Sequence, residues 1–362
     1  MFPGLRFRFS QNLLKHLPWH KEQTTLPQHH HHKPKKLEGN ARLHVVAVYF
    51  NHNRFENLRK NFMRFRQHMD DLGVTLHIAE LQLPGMPFEV TDEGNPYHIR
   101  LTSESEMFHK ENLANVAVMQ SVMKHHPDWE FMAWVDADVT FLNPNIVQDT
   151  IRALARYHVV QMWGKAVDLG PNDEPLHFKV RPGDSDAVVS SFALCYQQRR
   201  LGGYQYTTAT TWHPGYAWAM RRSLWDACGG LLDVSILGAG DHHMAWAFAG
   251  KAHQGLHGSM PKDYKDTCLK WLYTAKHAVN GNLGYVPGTV LHHWHGAKTS
   301  RKYVERWDYL VRNHFEPNKD LIRREDGLLE FAGNKPRLRD DCREYFGRRN
   351  DDCNVTEDFF RK

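Results

Sequence analysis

The stretch EFMAWVDADVTFLNP, residues 130 to 144, sets two carboxylates against an apolar run. Phe131 to Val135 reads as a buried strand, and Val139, Phe141 and Leu142 restore the apolar character before Pro144 ends it. On an extended chain Asp136 and Asp138 point to the same side. At ~5 Å and an effective dielectric of about 20, two such charges repel by roughly 3 kcal/mol. A shared proton, a basic partner or a cation must offset that repulsion. A hard divalent cation takes oxygen ligands, commonly one or two carboxylates plus substrate phosphates. The competing reading is a turn or helix-cap pair, since Asn143-Pro144 lies just beyond; no turn residue is read among the six that follow Val135.

The flanking sequence alternates strands with helices. LHVVAVYFN (44 to 51) has a central-strand pattern, and RFENLRKNFMRFRQHM spaces Leu58, Phe62, Phe65 and Met69 along one helical face with a basic outer side. VTLHIAELQL (74 to 83) reads as the next strand. MFHKENLANVAVMQSVMKHH reads as a helix with Leu113, Val116, Met119 and Met123 on one side. After the aspartates come a helix from about Asn145 to Tyr157 and a strand at HVVQMW. Such alternation predicts an α/β fold with a Rossmann-like, mainly parallel sheet covered on both faces. Ligands of open sheets of this kind sit at the carboxyl ends of the strands, where Asp136 and Asp138 fall.

Residues 1–40 read as a separate, flexible, basic segment whose His29 to His32 tract is a solvated or cloning-derived run. The catalytic domain is placed at 41–300 and a helical C-terminal extension at 301–362. Between 165 and 215 the pattern weakens into a loop-rich insertion of the kind that carries substrate contacts. SLWDACGG reads as a short helix with Ser223 as its cap, and GAGDHHMAWAFAG (238 to 250) opens another from a glycine-rich turn.

With 41% hydrophobic and 24% charged residues the chain is too apolar to be disordered. A net charge of +5 suits phosphates, nucleotides or nucleic acid, but modestly. The five cysteines have neither disulfide-framework nor zinc-site spacing and read as reduced thiols. Without a signal-peptide core or an apolar run of about 18 residues, the expected location is the cytoplasm, with no integral membrane segment.

Three further groups carry chemistry. LHHWHGAKTSRKY puts His292, His293 and His295 at a strand end; by alternation His293 and His295 share a face and His292 does not. Two carboxylates plus one imidazole suit a borderline ion such as manganese, with His295 as the candidate ligand. Lys298 and Arg301 add positive charge for a diphosphate. In GAGDHH, Asp241 is either a helix N-cap or a base in a cleft. In FHKENLAN, Lys110 and Asn115 face a nucleotide, or Lys110 and Glu111 form a solvated ion pair. Trp212, His213 and Gly215 form a sugar or base platform, or belong to the core.

Taken together, WVDADVTF, the preceding KENLAN helix, the later GxGD segment and the closing HHWHG resemble metal-dependent nucleotide-sugar glycosyltransferases of the A-type fold. The likeness spans roughly residues 44 to 300 and is strongest to bacterial and phage enzymes related to galactosyltransferases. It implies a hexosyl- or pentosyltransferase in which Asp136 and Asp138 hold Mn2+ or Mg2+ on the diphosphate of a UDP-sugar. His295 would complete the metal site, with His293 as alternate, and Asp241 would deprotonate the acceptor. His242 and His243 stand where that family often has further acidic residues, which leaves the choice between inversion and retention open. With no membrane segment expected, the acceptor is read as a glycan first, hydroxymethylated phage DNA a close second, with protein also open. A metal-dependent nuclease would need a denser carboxylate cluster, and a non-catalytic nucleic-acid or glycan binder would need no metal.

Overall fold

The computed structural model describes residues 41–176, 188–201, 212–302 and 305–354. The N-terminal segment with His29 to His32 lies outside them. In chain order the strands are β1 (Leu43–Phe50), β2 (Thr75–Gln82), β3 (His98–Thr102), β4 (Phe131–Val135), β5 (Val139–Phe141), β6 (Val159–Gln161), β7 (Lys165–Asp168), β8 (Val188–Ser191), β9 (Trp212–His213), β10 (Ala217–Arg221), β11 (Leu283–Tyr285), β12 (Thr289–His292), β13 (Leu321–Arg323) and β14 (Leu329–Phe331).

A central sheet runs β11-β6-β10-β4-β1-β2-β3. Its pairings are parallel except at β10, which is antiparallel to both β4 and β6. The mixed, mainly parallel α/β sheet expected from the strand–helix alternation is therefore present. One face carries the Glu56–Asp71 and Ile146–Leu154 helices. The other carries the helix that starts at Lys110, together with the Gly240–Phe248 and Lys262–Val279 helices.

The helix at 56–71 buries Phe62, Phe65 and Met69, as their spacing predicts. Its amino end lacks a side-chain cap of its own. Instead Asp352, from the far end of the chain, accepts from the backbone N–H of Glu56 at 3.0 Å and of Asn57 at 2.8 Å. A carboxylate there satisfies two orphan donors and opposes the positive end of the helix dipole.

The helix at 110 departs from expectation. Lys110–Ala117 is α-helical, but Val118–Val122 forms a wider π turn. The extra residue rotates the apolar face, so Ser121 and Val122 turn inward and Met119 is 43% exposed. Ser223 likewise falls inside the Arg222–Cys228 helix, with Arg221 at the cap and left-handed Gly229 at the stop. All five cysteines are free.

A second sheet runs β5-β12-β7-β8-β9 and brings distant segments to the site. Strand β5 pairs antiparallel with β12, setting Val139 opposite His292. Strand β12 runs parallel to β7, setting His292 opposite Asp168. Beyond 300 the chain is not helical alone: it adds the β13–β14 hairpin before the Pro336–Arg348 helix. Among the described residues no helix is long and apolar enough to cross a membrane.

Candidate active site

A cavity of about 240 Å³ opens at the carboxyl ends of β1 and β4. Asp136, Asp138, Lys110, Asp241, His295 and Arg301, all singled out in the sequence, line it. The aspartates reach it by a route that strand alternation misses. Strand β4 stops at Val135, and Ala137 and Asp138 form a turn into β5. A turn does occur within the six residues after Val135, and it directs both carboxylates to one cavity.

Different neighbours offset the two charges. The Lys110 ammonium pairs with Asp136 Oδ1, and the Tyr216 N–H donates to Oδ2 at 3.2 Å. Burial still pushes the Asp136 carboxyl up, against Lys110 and with the repulsion of Asp138. At Asp138 burial works in the same direction, but His292 and His295 outweigh it and hold this carboxyl well below its ordinary range. His295 Nε2 lies 2.9 Å from Asp138 Oδ2 and His292 Nε2 lies 3.6 Å from it. Asp138 is thus the member of the pair that ionises first.

His292, not His293, joins His295 at the aspartate. Strand β12 ends at His292, so the alternation that grouped His293 with His295 lapses there. His293 turns away: Nε2 meets Thr140 Oγ1 at 2.8 Å, and Nδ1 meets Arg64 at 2.6 Å. His292 Nδ1 donates to Asp168 Oδ1 at 2.7 Å, and Tyr216 OH donates to the same oxygen at 3.0 Å. That bond fixes the tautomer and aims Nε2 at Asp138, as a carboxylate behind a metal-binding imidazole does. Burial disfavours the charged ring, but Asp138 and Asp168 raise His292 to about 9, so without a cation the ring holds a proton that metal binding would release. Behind His295 stand Asp351 at 3.4 Å and Arg301, whose Nη2 lies 3.0 and 2.6 Å from the two ring nitrogens.

Asp138, His292 and His295 each offer a donor atom within 4.8 Å of the others. Asp138 Oδ1 is buried with no hydrogen-bond partner. An enclosed carboxylate oxygen left without a partner is costly, and beside two imidazoles it suits a divalent cation. The residues present therefore fit the metal that the resemblance implies.

The other wall is built on the glycine-rich turn. Gly238 and Ala239 adopt left-handed φ of 88° and 79°, folding the chain back before the Gly240–Phe248 helix. A Cβ on Gly240 would lie 2.7 Å from the Glu111 carboxyl carbon, and one on Gly215 would lie 2.7 Å from Asp241 Oδ2. Asp241 accepts from the His242 N–H at 2.7 Å. Burial opposes its ionisation, yet Lys110 and His213 hold it below its ordinary value. Glu111 is not a solvated partner of Lys110: it is buried, and burial pushes it up to about 8.

Several candidates lie elsewhere. Asn115 is buried behind the wall, its amide donating to Leu231 O and Asp233 and accepting from Leu231 N. Trp212 is core, packed edge-on against Phe192 and Trp246, while its neighbour His213 lines the cavity. Lys298 begins the short turn Lys298–Arg301, and its side chain lies outside the described residues. Tyr216, Asp168, Arg306, Tyr345, Arg349 and Asp351 stand in no local motif, because the second sheet and the tail bring them in. The loop-rich insertion is described only in part, since 177–187 and 202–211 lie outside the described residues.

No family model and no curated protein matches the chain. Among solved structures, the catalytic domain of Drosophila β1,4-galactosyltransferase 7 in complex with xylobiose aligns at 16% identity and TM-score 0.30. That alignment covers 60% of this chain and 63% of the other, so the chain spans less than two thirds of the galactosyltransferase domain. A glycosyltransferase involved in glycosylation of the major capsid of PBCV-1 aligns at 10% identity and TM-score 0.27, over 84% of this chain and 98% of that one. Mannosyl-3-phosphoglycerate synthase from Rubrobacter xylanophilus aligns at 11% identity and TM-score 0.33, over 80% and 84%. Two of these neighbours are thus named as sugar transferases and the third as a mannosyl-3-phosphoglycerate synthase.

Proposed function

We propose that the chain is a metal-dependent A-type glycosyltransferase that moves a sugar from a nucleotide diphosphate, UDP-sugar in the first instance, to a hydroxyl of a glycan. The convergence of Asp138, His292 and His295 with Lys110, Arg301 and Asp241 around one cavity supports the reading. Asp138, His292 and His295 would hold Mn2+ or Mg2+, with Asp136 facing the same space. The cation, when bound, offsets charge on the departing diphosphate. Arg301 and Arg306 line the same cavity and add positive charge for phosphate oxygens. Lys110 holds Asp136 in place. Asp241 takes the acceptor hydroxyl proton as the new O–C1 bond forms and the C1–O bond to the diphosphate breaks.

For the acceptor, glycan is favoured over modified DNA. The basic helix and the tail carry arginines already matched to carboxylates: Arg64 to Asp173, Arg66 to Asp92, Arg339 to Asp340 and Arg343 to Glu106. Few of these charges are left to neutralise phosphates. The test is a donor and acceptor array read by mass, with and without Mn2+. Sugar transfer that needs Mn2+ and is lost in Asp138→Asn supports the proposal; sugar-nucleotide binding that ignores both metal and Asp138 sinks it. The anomeric configuration of the product, read by NMR, tests Asp241 as base.

A further inference from the structure

A second group of possible metal donors lies at the amino ends of the strands, away from the cavity. His44 is the second residue of β1 and His77 the third of β2. Their register sets His44 beside Thr75 and Val46 beside His77, so the two imidazoles are diagonal neighbours on one sheet face. The helical segment that crosses this face delivers Ser121 and, just past its end, His126. Ring nitrogens of His44, His77 and His126 all lie within 4.8 Å of one another.

The contacts within this group are incomplete for a hydrogen-bonded core cluster. His77 Nδ1 meets Ser121 Oγ at 2.7 Å, which leaves Nε2 facing His44 Nδ1 at 3.2 Å. His126 Nε2 is enclosed without a hydrogen-bond partner, and its ring centroid lies 4.3 Å from that of His44. Burial, then mutual repulsion, lowers His44 to about 4 and His77 to about 3; burial lowers His126 too. The exposed Arg42 and Asp128 are the nearby charges, of opposite sign.

We propose that His44, His77 and His126 form a second, structural metal site for a borderline divalent cation, zinc first, that ties β1, β2 and the segment before β4 together. Three imidazole nitrogens select zinc-like ions over magnesium. Ligand bonds of about 2.0–2.1 Å in a tetrahedron place ligand atoms about 3.3 Å apart, close to the His44–His77 separation of 3.2 Å. Ser121 holds His77 from behind, as a supporting partner of a ligating histidine does.

The test uses the full chain with His29 to His32 replaced by serine and with Asp138→Asn and His295→Gln, so that other metal donors are removed. Equilibrium dialysis against zinc should give one ion per chain, and cobalt should give the intense visible bands of a tetrahedral site. Excess magnesium should displace neither. Adding His126→Gln, at a partly exposed position, or His44→Gln should remove the ion and the bands. The zinc-induced rise in Tm should vanish with them while the metal-free melt keeps its shape. If His44→Gln fails to fold, His126→Gln alone decides. Zinc retained by His126→Gln, or no zinc bound by the background chain, overturns the proposal.

Discussion

An enclosed carboxylate stays ionised only where positive charge or hydrogen-bond donors face it, and in this cavity Asp136 and Asp241 share one ammonium while Asp138 has two imidazoles. Asp136 leans on Lys110, Asp138 on two imidazoles, and Asp241 on Lys110 and His213. Replacing Asp138 by Asn keeps the shape but removes the charge; metal-dependent turnover should fall at least about 10²-fold, with far-ultraviolet CD unchanged. Asp241→Asn should lower kcat by about 10²–10⁴ with little change in KM, the mark of a group that acts on the proton. Asp168→Asn tests the support behind His292. Its expected effect is a tenfold to hundredfold rise in the Mn2+ concentration for half-activation. Full activity at unchanged Mn2+ would remove Asp168 from that role.

At the scale of elements, what positions the acids is backbone that leaves no room. A Cβ on Gly215 would lie 2.7 Å from Asp241 Oδ2 and 2.8 Å from the His213 ring. Gly215→Ala should therefore displace both, cutting activity while costing about 1–3 kcal/mol of stability; urea unfolding and kinetics on one preparation would separate the two effects. The elements themselves were readable where periodicity speaks directly, as in Phe62, Phe65 and Met69 on their helix. Val118–Val122 was not, because a π turn leaves hydrophobicity in place and changes only the angle between successive residues. The Asp-x-Asp motif pointed both carboxylates to one side, and they do face one cavity, but for another reason: alternation assumed a strand where the chain turns. His292 was set aside by the same assumption, carried past the end of β12.

Across the whole molecule, the distances that matter are long in sequence. Residues 138 and 292, or 295 and 351, meet through the β5–β12 pairing and a returning tail, and no local pattern encodes such meetings. The interior also holds neutral histidines. Burial lowers His109 and His242 to about 3, against about 6.5 unfolded. Below pH 6.5 the unfolded chain therefore binds more protons than the folded one, and stability falls as pH falls until about pH 3. Each such group costs about 1.4 kcal/mol per pH unit within that window. Between pH 6.5 and 4, with chelator present, the unfolding free energy should drop more steeply for the parent than for His109→Gln. Equal slopes would show that His109 titrates alike in both states.

Asp351 and Asp352 close the molecule in time as well as in space. Asp351 backs His295, while Asp352 caps the helix that begins at Glu56. Both are synthesised some two hundred residues after Asp138, so a chain still on the ribosome, or cut short of residue 350, has its aspartates and histidines but not the brace that orients them. On the proposed function, catalytic competence is acquired late in synthesis, and truncated products of this chain should keep their sheet yet be idle.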